Sequence, residues 1–242
     1  MKPALRFLGT RGEIPIRTRR HRRHTSLLLK SGGLCVMIDR GADWLRLPPG
    51  LRPDAIVLTH AHPDHAFGLA GGAECPVFAT EATLGNLAAF PLADRRVVQP
   101  GKPFRLGGFR FEAFPLEHSL RAPAVGYRIS AGRRRVFYCP DVAWIPDRRR
   151  AIGGIDLYIG DGATVSRPMV RKAGPRLYGH ASIHAQIGWC AKAGVTRAIF
   201  THCGRGIVGG DGRRLAVLVR RMGKERGVDA RIAHDGWEIP FP

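Results

Sequence analysis

The stretch Thr59-His60-Ala61-His62-Pro63-Asp64-His65 constrains this chain more than any other. Four side chains able to hold a metal fall within six residues, spaced His-x-His-x-Asp-His. The apolar, β-branched run Ala55-Ile56-Val57-Leu58 precedes them and reads as a buried strand. Ala66-Phe67-Gly68-Leu69-Ala70 follows and reads as the first turns of a helix. The cluster is therefore expected at the carboxyl end of a strand, where open α/β sheets place their sites. Imidazole with carboxylate suits zinc, or another borderline divalent metal such as manganese or iron. A merely His-rich polar loop is the alternative, and this spacing argues against it.

Other polar side chains recur at the ends of apolar runs. Phe109 to Pro115 leads to His118, Arg135 to Tyr138 leads to Asp141, and Arg197-Ala198-Ile199-Phe200 leads to His202. With His60, His62, Asp64 and His65 these make seven ligands. That number serves two metals when one carboxylate bridges them and a hydroxide sits between. Asp156 to Ile159 reads as a further strand, ending at Asp161, and Tyr178-Gly179-His180-Ala181-Ser182 precedes a helix through about Lys192.

The rest of the chain supplies a frame. Ala4 to Leu8 reads as a strand, and Thr25 to Lys30 with Leu34 to Ile38 as a hairpin around Ser31-Gly32-Gly33. Thr80 is expected to cap a helix running to about Ala89. An amphipathic helix is expected over roughly Gly212 to Arg226. Asp39, after the hairpin, reads either as a plain turn carboxylate, the favoured reading, or as a residue that supports a metal ligand from behind. His21 and His24 are not expected to bind metal, and His184 reads as a surface residue. Cys203 reads as a buried thiol, Arg205 as a residue that lines the substrate pocket, and His234-Asp235-Gly236 as a turn. Residues 1–242 read as one domain of two similar halves, each a sheet with helices outside it.

Composition narrows the class. No apolar run reaches 18 residues and no leader pattern is visible, so a membrane span and secretion are not expected. Five scattered Cys, never in a CxxC pair, point to reduced thiols in a cytoplasmic protein. The net charge is +20, carried by 33 Arg against 6 Lys. Arginine suits phosphate, although a GC-rich genome would raise Arg, Ala, Gly and Pro together. The run Arg17 to His24 is the densest basic stretch; it reads either as a loop reaching phosphates or as a solvated loop.

The HxHxDH block followed in order by His118, Asp141 and His202 resembles the metallo-β-lactamase superfamily across essentially the whole chain. The resemblance implies an α/β, four-layer αββα sandwich with a dinuclear site along one edge. It implies that His60, His62 and His118 hold one metal, that Asp64, His65 and His202 hold the other, and that Asp141 bridges. Val57-Leu58-Thr59-His60, Ile199-Phe200-Thr201-His202 and Gly179-His180-Ala181-Ser182 look like the ribonuclease Z-type branch. In that branch a His in the last context donates a proton to the leaving group, which implies an Asp161–His180 pair. A helix-capping loop residue is the competing reading of His180; Asp161 could also be a turn residue or exchange roles with Asp141.

The likeness has limits. His118 and Asp141 lie only 23 positions apart, so the long tRNA-gripping arm of ribonuclease Z is absent. The spacing is similar to the small cyclic phosphodiesterases of phosphonate breakdown, but their Cys-rich structural zinc site is missing too. The resemblance implies a hydrolase with two divalent metals, expected to be zinc with manganese or iron as alternatives. A bridging hydroxide would attack, Asp64 would orient it or accept its proton, and His180 would act as general acid. The expected partner is a small phosphodiester or a nucleic acid, with a homodimer as assembly and no membrane. Rival readings are a thioester or lactone hydrolase, an iron-dependent oxygenase, and a nucleic-acid-binding module with a vestigial site.

Overall fold

The computed structural model describes residues 3–242. The first half contributes strands β1 Ala4–Gly9, β2 Ser26–Ser31, β3 Leu34–Ile38, β4 Ala55–Val57, β5 Val77–Ala79 and β6 Arg95–Val97, with helices α1 Pro63–Ala66 and α2 Glu81–Asn86. The second half contributes β7 Phe104–Leu106, β8 Phe109–Leu116, β9 Ala124–Ala131, β10 Arg134–Tyr138, α3 Arg148–Ile152, β11 Leu157–Asp161, β12 Met169–Ala173 and β13 Arg176–His180. It continues through α4 Ile183–Lys192, β14 Arg197–Thr201, α5 Arg205–Val208, α6 Gly212–Lys224 and β15 Asp229–Ile232. The last strand, β16 Glu238–Pro240, crosses back to the first sheet.

Two seven-stranded sheets result, ordered β16-β1-β2-β3-β4-β5-β6 and β15-β14-β11-β10-β9-β8-β7, while β12 and β13 form a separate ribbon. In each large sheet an antiparallel part gives way to a parallel one. β3 to β6 run parallel in the first, and β10, β11, β14 and β15 in the second. Parallel neighbours end on the same side, which brings the residues that follow them together.

The two-residue period of the strands sorts side chains between layers. Leu27, Leu29, Val36 and Ile38 pack with Phe111, Tyr127, Ile129 and Tyr138 between the sheets. Their alternates Leu28 and Met37 pack outward with Ile56, Leu69, Leu84 and Leu87. On the far side, Phe137, Tyr158 and Phe200 pack against Ile183, Ile187 and Val219 of α4 and α6. Three apolar layers between four layers of structure make the αββα sandwich. Its sheets are also pinned at one end, where the buried Tyr127 Oη donates to Leu58 O at 2.8 Å and Val125 N to Thr59 O at 3.0 Å.

Three local readings need correction. The one-turn helix α1 already ends at Ala66, and only a 3₁₀ turn at Phe67–Leu69 follows, because the chain packs too tightly there to extend. A Cβ on Gly68 would meet Gly41 O at 2.4 Å. The β12–β13 ribbon and β15 were not foreseen, since mostly exposed strands carry little apolar alternation. Among the described residues, no helix is long and apolar enough to cross a membrane.

Candidate metal centre

Each expected ligand lies at or just past a strand end. His60, His62, Asp64 and His65 follow β4, His118 follows β8, Asp141 follows β10, and His202 follows β14. Pro63 opens α1, where its missing N–H costs nothing, and this turns Asp64 and His65 back toward the strand ends.

His62 Nδ1 lies 3.0 Å from His60 Nε2 and 3.3 Å from His118 Nε2. Asp141 Oδ2 stands 3.4 Å from His60 Nε2, 3.2 Å from His118 Nε2 and 3.3 Å from His65 Nε2. Asp64 Oδ2 lies 3.0 Å from His202 Nε2 and 3.4 Å from His65 Nε2. His202 Nδ1 is 2.9 Å from Asp141 Oδ1. Three overlapping groups make up this centre, one of His60, His62, His118 and Asp141, one of Asp64, His65 and His202, and one of Asp141, Asp161, His180 and His202, each with ligand atoms within 4.8 Å of one another.

The outer nitrogens decide what the inner ones present. His118 Nδ1 donates to Gly179 O at 3.0 Å, and His65 Nδ1 donates to Asp39 Oδ2 at 2.9 Å. Thr59 Oγ1 donates to Asp39, which leaves it to accept from His60 Nδ1 at 3.0 Å. His62 Nε2 pairs with Ser119 Oγ at 3.2 Å. Lone pairs of His60, His62 and His118 therefore point at one another across about 3 Å, an arrangement that an electropositive centre stabilises. His65 Nε2, Asp141 Oδ1 and His202 Nδ1 are buried without a hydrogen bond, which buried polar groups rarely tolerate. The residues fit one or two divalent cations of the borderline class.

Electrostatics agree. Burial, reinforced by neighbouring His65, lowers His60; burial with His60 beside it pushes His62 down to about 4. Burial pushes His118 down to about 3. These imidazoles are neutral at pH 7, as ligands must be. Burial would also lower His65 and His202, but Asp64 and Asp141 beside His65, and Asp141 foremost beside His202, hold both well above the usual imidazole range. Burial would raise Asp64 and Asp141; His65 draws the first and His202 the second well below the carboxylate range. The pocket between the carboxylates demands positive charge.

Asp161 and His180 stand beside this cluster. His180 Nδ1 donates to Asp161 Oδ2 at 2.8 Å, and its ring stacks on His202 with centroids 5.4 Å apart. Burial lowers its affinity for a proton, but Asp161 raises it more. Ser182, not His180, caps α4 by accepting from Ala185 N. Asp161 also accepts from Val142 N at 3.0 Å and Ala163 N at 2.8 Å, so its oxygens are engaged by the chain. Asp141 Oδ1 accepts no hydrogen bond from the backbone, and His202 Nδ1, 2.9 Å away, is not aligned to donate to it.

Asp39 is not a plain turn carboxylate but takes the other role open to it, behind a ligand of the cluster. It is fully buried, its backbone is left-handed at φ 63°, and its carboxylate orients His65 and Thr59. The signal lay in the topology, because β3 and β4 are parallel neighbours and Asp39 ends the first as His60 follows the second. Among the described non-glycine residues only Asp39 and His202, at φ 53°, adopt this strained conformation. Gly12 is a further participant, since a Cβ there would meet the His202 ring at 2.8–3.2 Å. His184 is exposed and Cys203 buried. A cavity of about 500 Å³ opens beside the cluster, lined by Glu13, Met169, His180, His202 and Arg205 among others.

The family described as the beta-lactamase superfamily domain matches residues 36–203. Ribonuclease Z of Methanopyrus kandleri is 31% identical over 144 residues, 52% of this chain and 49% of that protein. Ribonuclease Z of Bradyrhizobium diazoefficiens is 27% identical over 197 residues, 71% of this chain and 62% of the relative. The chain spans about half to three fifths of the length of these curated relatives. The solved metallo-β-lactamase fold protein YhfI of Bacillus subtilis superposes with a TM-score of 0.75 at 18% identity, covering 99% of both chains. By the match that spans its metal cluster, this chain belongs to the β-lactamase superfamily, with the metallo-β-lactamase fold.

Proposed function

We propose that the protein is a metal-dependent phosphodiesterase. The observation that carries this reading is the His180–Asp161 pair set against the ligand cluster at the wall of the cavity. In this reading His60, His62 and His118 would hold one divalent cation, Asp64, His65 and His202 would hold a second, and Asp141, whose Oδ1 accepts no aligned hydrogen bond, would serve both. Zinc suits this donor set best, with manganese or iron as alternatives. The cations, when bound, supply Lewis acidity toward the phosphate oxygens and a water activated for attack.

The chain's own residues do the rest. His180 Nε2, opposite the nitrogen that Asp161 holds, keeps a proton for the departing alkoxide, and Asp161 stabilises the charged imidazolium before transfer. The Asp64 carboxylate orients the attacking water or accepts its proton. Exposed Arg205 at the cavity wall receives the substrate's negative charge. The relatives named ribonuclease Z support a diester within a nucleic acid as substrate.

Leaving-group dependence tests the assignment. His180→Ala is expected to retain metal and to slow an alkyl phosphodiester by about 10²–10⁴-fold. Bis-(p-nitrophenyl) phosphate, whose leaving group needs little protonation, loses far less. Equal losses on both substrates remove His180 as the acid. Turnover of thioesters in place of phosphodiesters overturns the reading altogether.

A further inference from the structure

A second concavity lies over β1 to β3 of the first sheet, walled by Trp44 and the segment 48–52. Its volume is about 610 Å³, and six cations line it: Arg6, Arg19, Arg22, Arg23, Lys30 and Arg52. They come from β1, from the loop between β1 and β2, from β2, and from the segment preceding β4. One carboxylate, Asp235, reaches the same groove. It is already engaged, accepting from Thr10 Oγ1 and from the backbone N–H groups of Arg22 and Arg23 at 2.7–3.0 Å. Asp235 thus shapes the basic loop.

What marks this groove is convergence. Elsewhere some arginines are paired, as Arg96 with Asp94, Arg134 with Asp156, Arg231 with Asp229 and Arg150 with Glu112, and others stand singly on the surface. Among the described residues, no carboxylate lies within 4 Å of the guanidinium groups of Arg6, Arg19, Arg22, Arg23 or Arg52, and Lys30 meets Glu238 only at 4.0 Å. Converging like charges without counterions raises the local potential and favours a polyanion. The apolar floor is closed, with Leu28 1% and Trp44 2% exposed, and Arg23 lies over the Trp44 ring at 4.5 Å. No aromatic face is left for base stacking, and the apolar lining that stays accessible is limited to half-buried Leu8, Pro48 and Leu51 and exposed Pro49. A concave channel whose charged side chains are six cations against one engaged carboxylate suits a sugar–phosphate backbone.

The groove is joined to the metal centre. Buried Arg11 forms an ion pair with Asp43 and donates to Gly12 O at 3.1 Å and Arg22 O at 3.3 Å. One loop therefore carries Gly12 and Glu13 at the cavity beside His202, and Arg19, Arg22 and Arg23 at the groove.

We infer that this groove binds the phosphate backbone of a single-stranded nucleic acid, without sequence preference, and delivers it across the Arg11 spine toward the metal centre. The inference rests on the phosphodiesterase reading for the cleavage but not for the binding. The test uses zinc-loaded protein and a fluorescein-labelled single-stranded RNA of about 20 nucleotides, followed by anisotropy across a salt series. Combined Arg6→Glu, Arg22→Glu and Arg52→Glu substitution is expected to weaken binding more than tenfold. It should also flatten the slope of log affinity against log salt by about 2, at about 0.7 per lost phosphate contact. The matching Arg→Lys triple variant should keep the slope, which separates lost charge from lost folding. Bis-(p-nitrophenyl) phosphate, too small to span the groove, should be turned over by all three proteins alike. Unchanged RNA binding by the glutamate variant overturns the inference. So does tighter binding to phosphatidylcholine vesicles containing phosphatidylserine than to RNA. RNA binding that follows these substitutions, in a protein inactive on every diester with zinc, manganese or iron, upholds the groove and overturns the hydrolase reading alone.

Discussion

Asp39 holds a backbone conformation that ordinary residues avoid, and its carboxylate explains why. One oxygen accepts from Thr59 N at 2.8 Å and the other from His65 Nδ1 at 2.9 Å, so the strain is balanced by two oriented neighbours of the cluster. Asp39→Asn is expected to weaken metal retention by about 10–100-fold, read by competition with a chromogenic chelator. Retention equal to the parent protein removes that orienting role. The spacing of His60, His62, Asp64 and His65 was legible in the chain because all four sit on one turn. The choice between Asp141 and Asp161 was not legible. It depends on backbone N–H groups of Val142 and Ala163 that engage Asp161 and on none that engages Asp141 Oδ1, a matter of three-dimensional hydrogen bonding.

Among elements, the loop from Thr10 to Thr25 departs furthest from its sequence. Its basic run is not uniformly solvated, since His21 and His24 are buried, and burial pushes each down to about 4. Both are neutral in the folded protein, whereas the unfolded chain protonates them near pH 6.5. Their contribution is therefore complete above about pH 6.5 and declines as pH falls toward 4, by up to roughly 3 kcal/mol each. Urea midpoints at about pH 7.5 and pH 5 check this, and His21→Gln should reduce the difference between them. An identical difference in parent and variant excludes His21 as its source. The central strands were legible because they are apolar and bounded by turns, as at Ala55–Val57 and Arg197–Thr201. The Met169–Ala173 and Arg176–His180 ribbon was not, because five of its ten residues are Arg, Lys, Gly or His and none is fully buried.

For the whole molecule, the cluster draws Asp64 and His65 from one sheet's strand ends and Asp141 and His202 from the other's. A cation there ties the two sheets together. Free zinc at about 100 times its dissociation constant should raise the unfolding free energy by about 2.7 kcal/mol, and chelation should reverse it. Thermal or urea unfolding measured with and without zinc is the check, and a midpoint indifferent to zinc and chelator removes the cation from that role.

The sheet ends carry a different consequence. All four edge strands present charge or proline outward: Arg95 and Arg96 on β6, Arg105 on β7, Asp229 and Arg231 on β15, Glu238 and Pro240 on β16. Such borders repel the docking of a foreign strand. A sandwich with two open sheets is thereby guarded against fibrous self-association, and any pairing of two copies has to use faces or loops, not a continuous sheet.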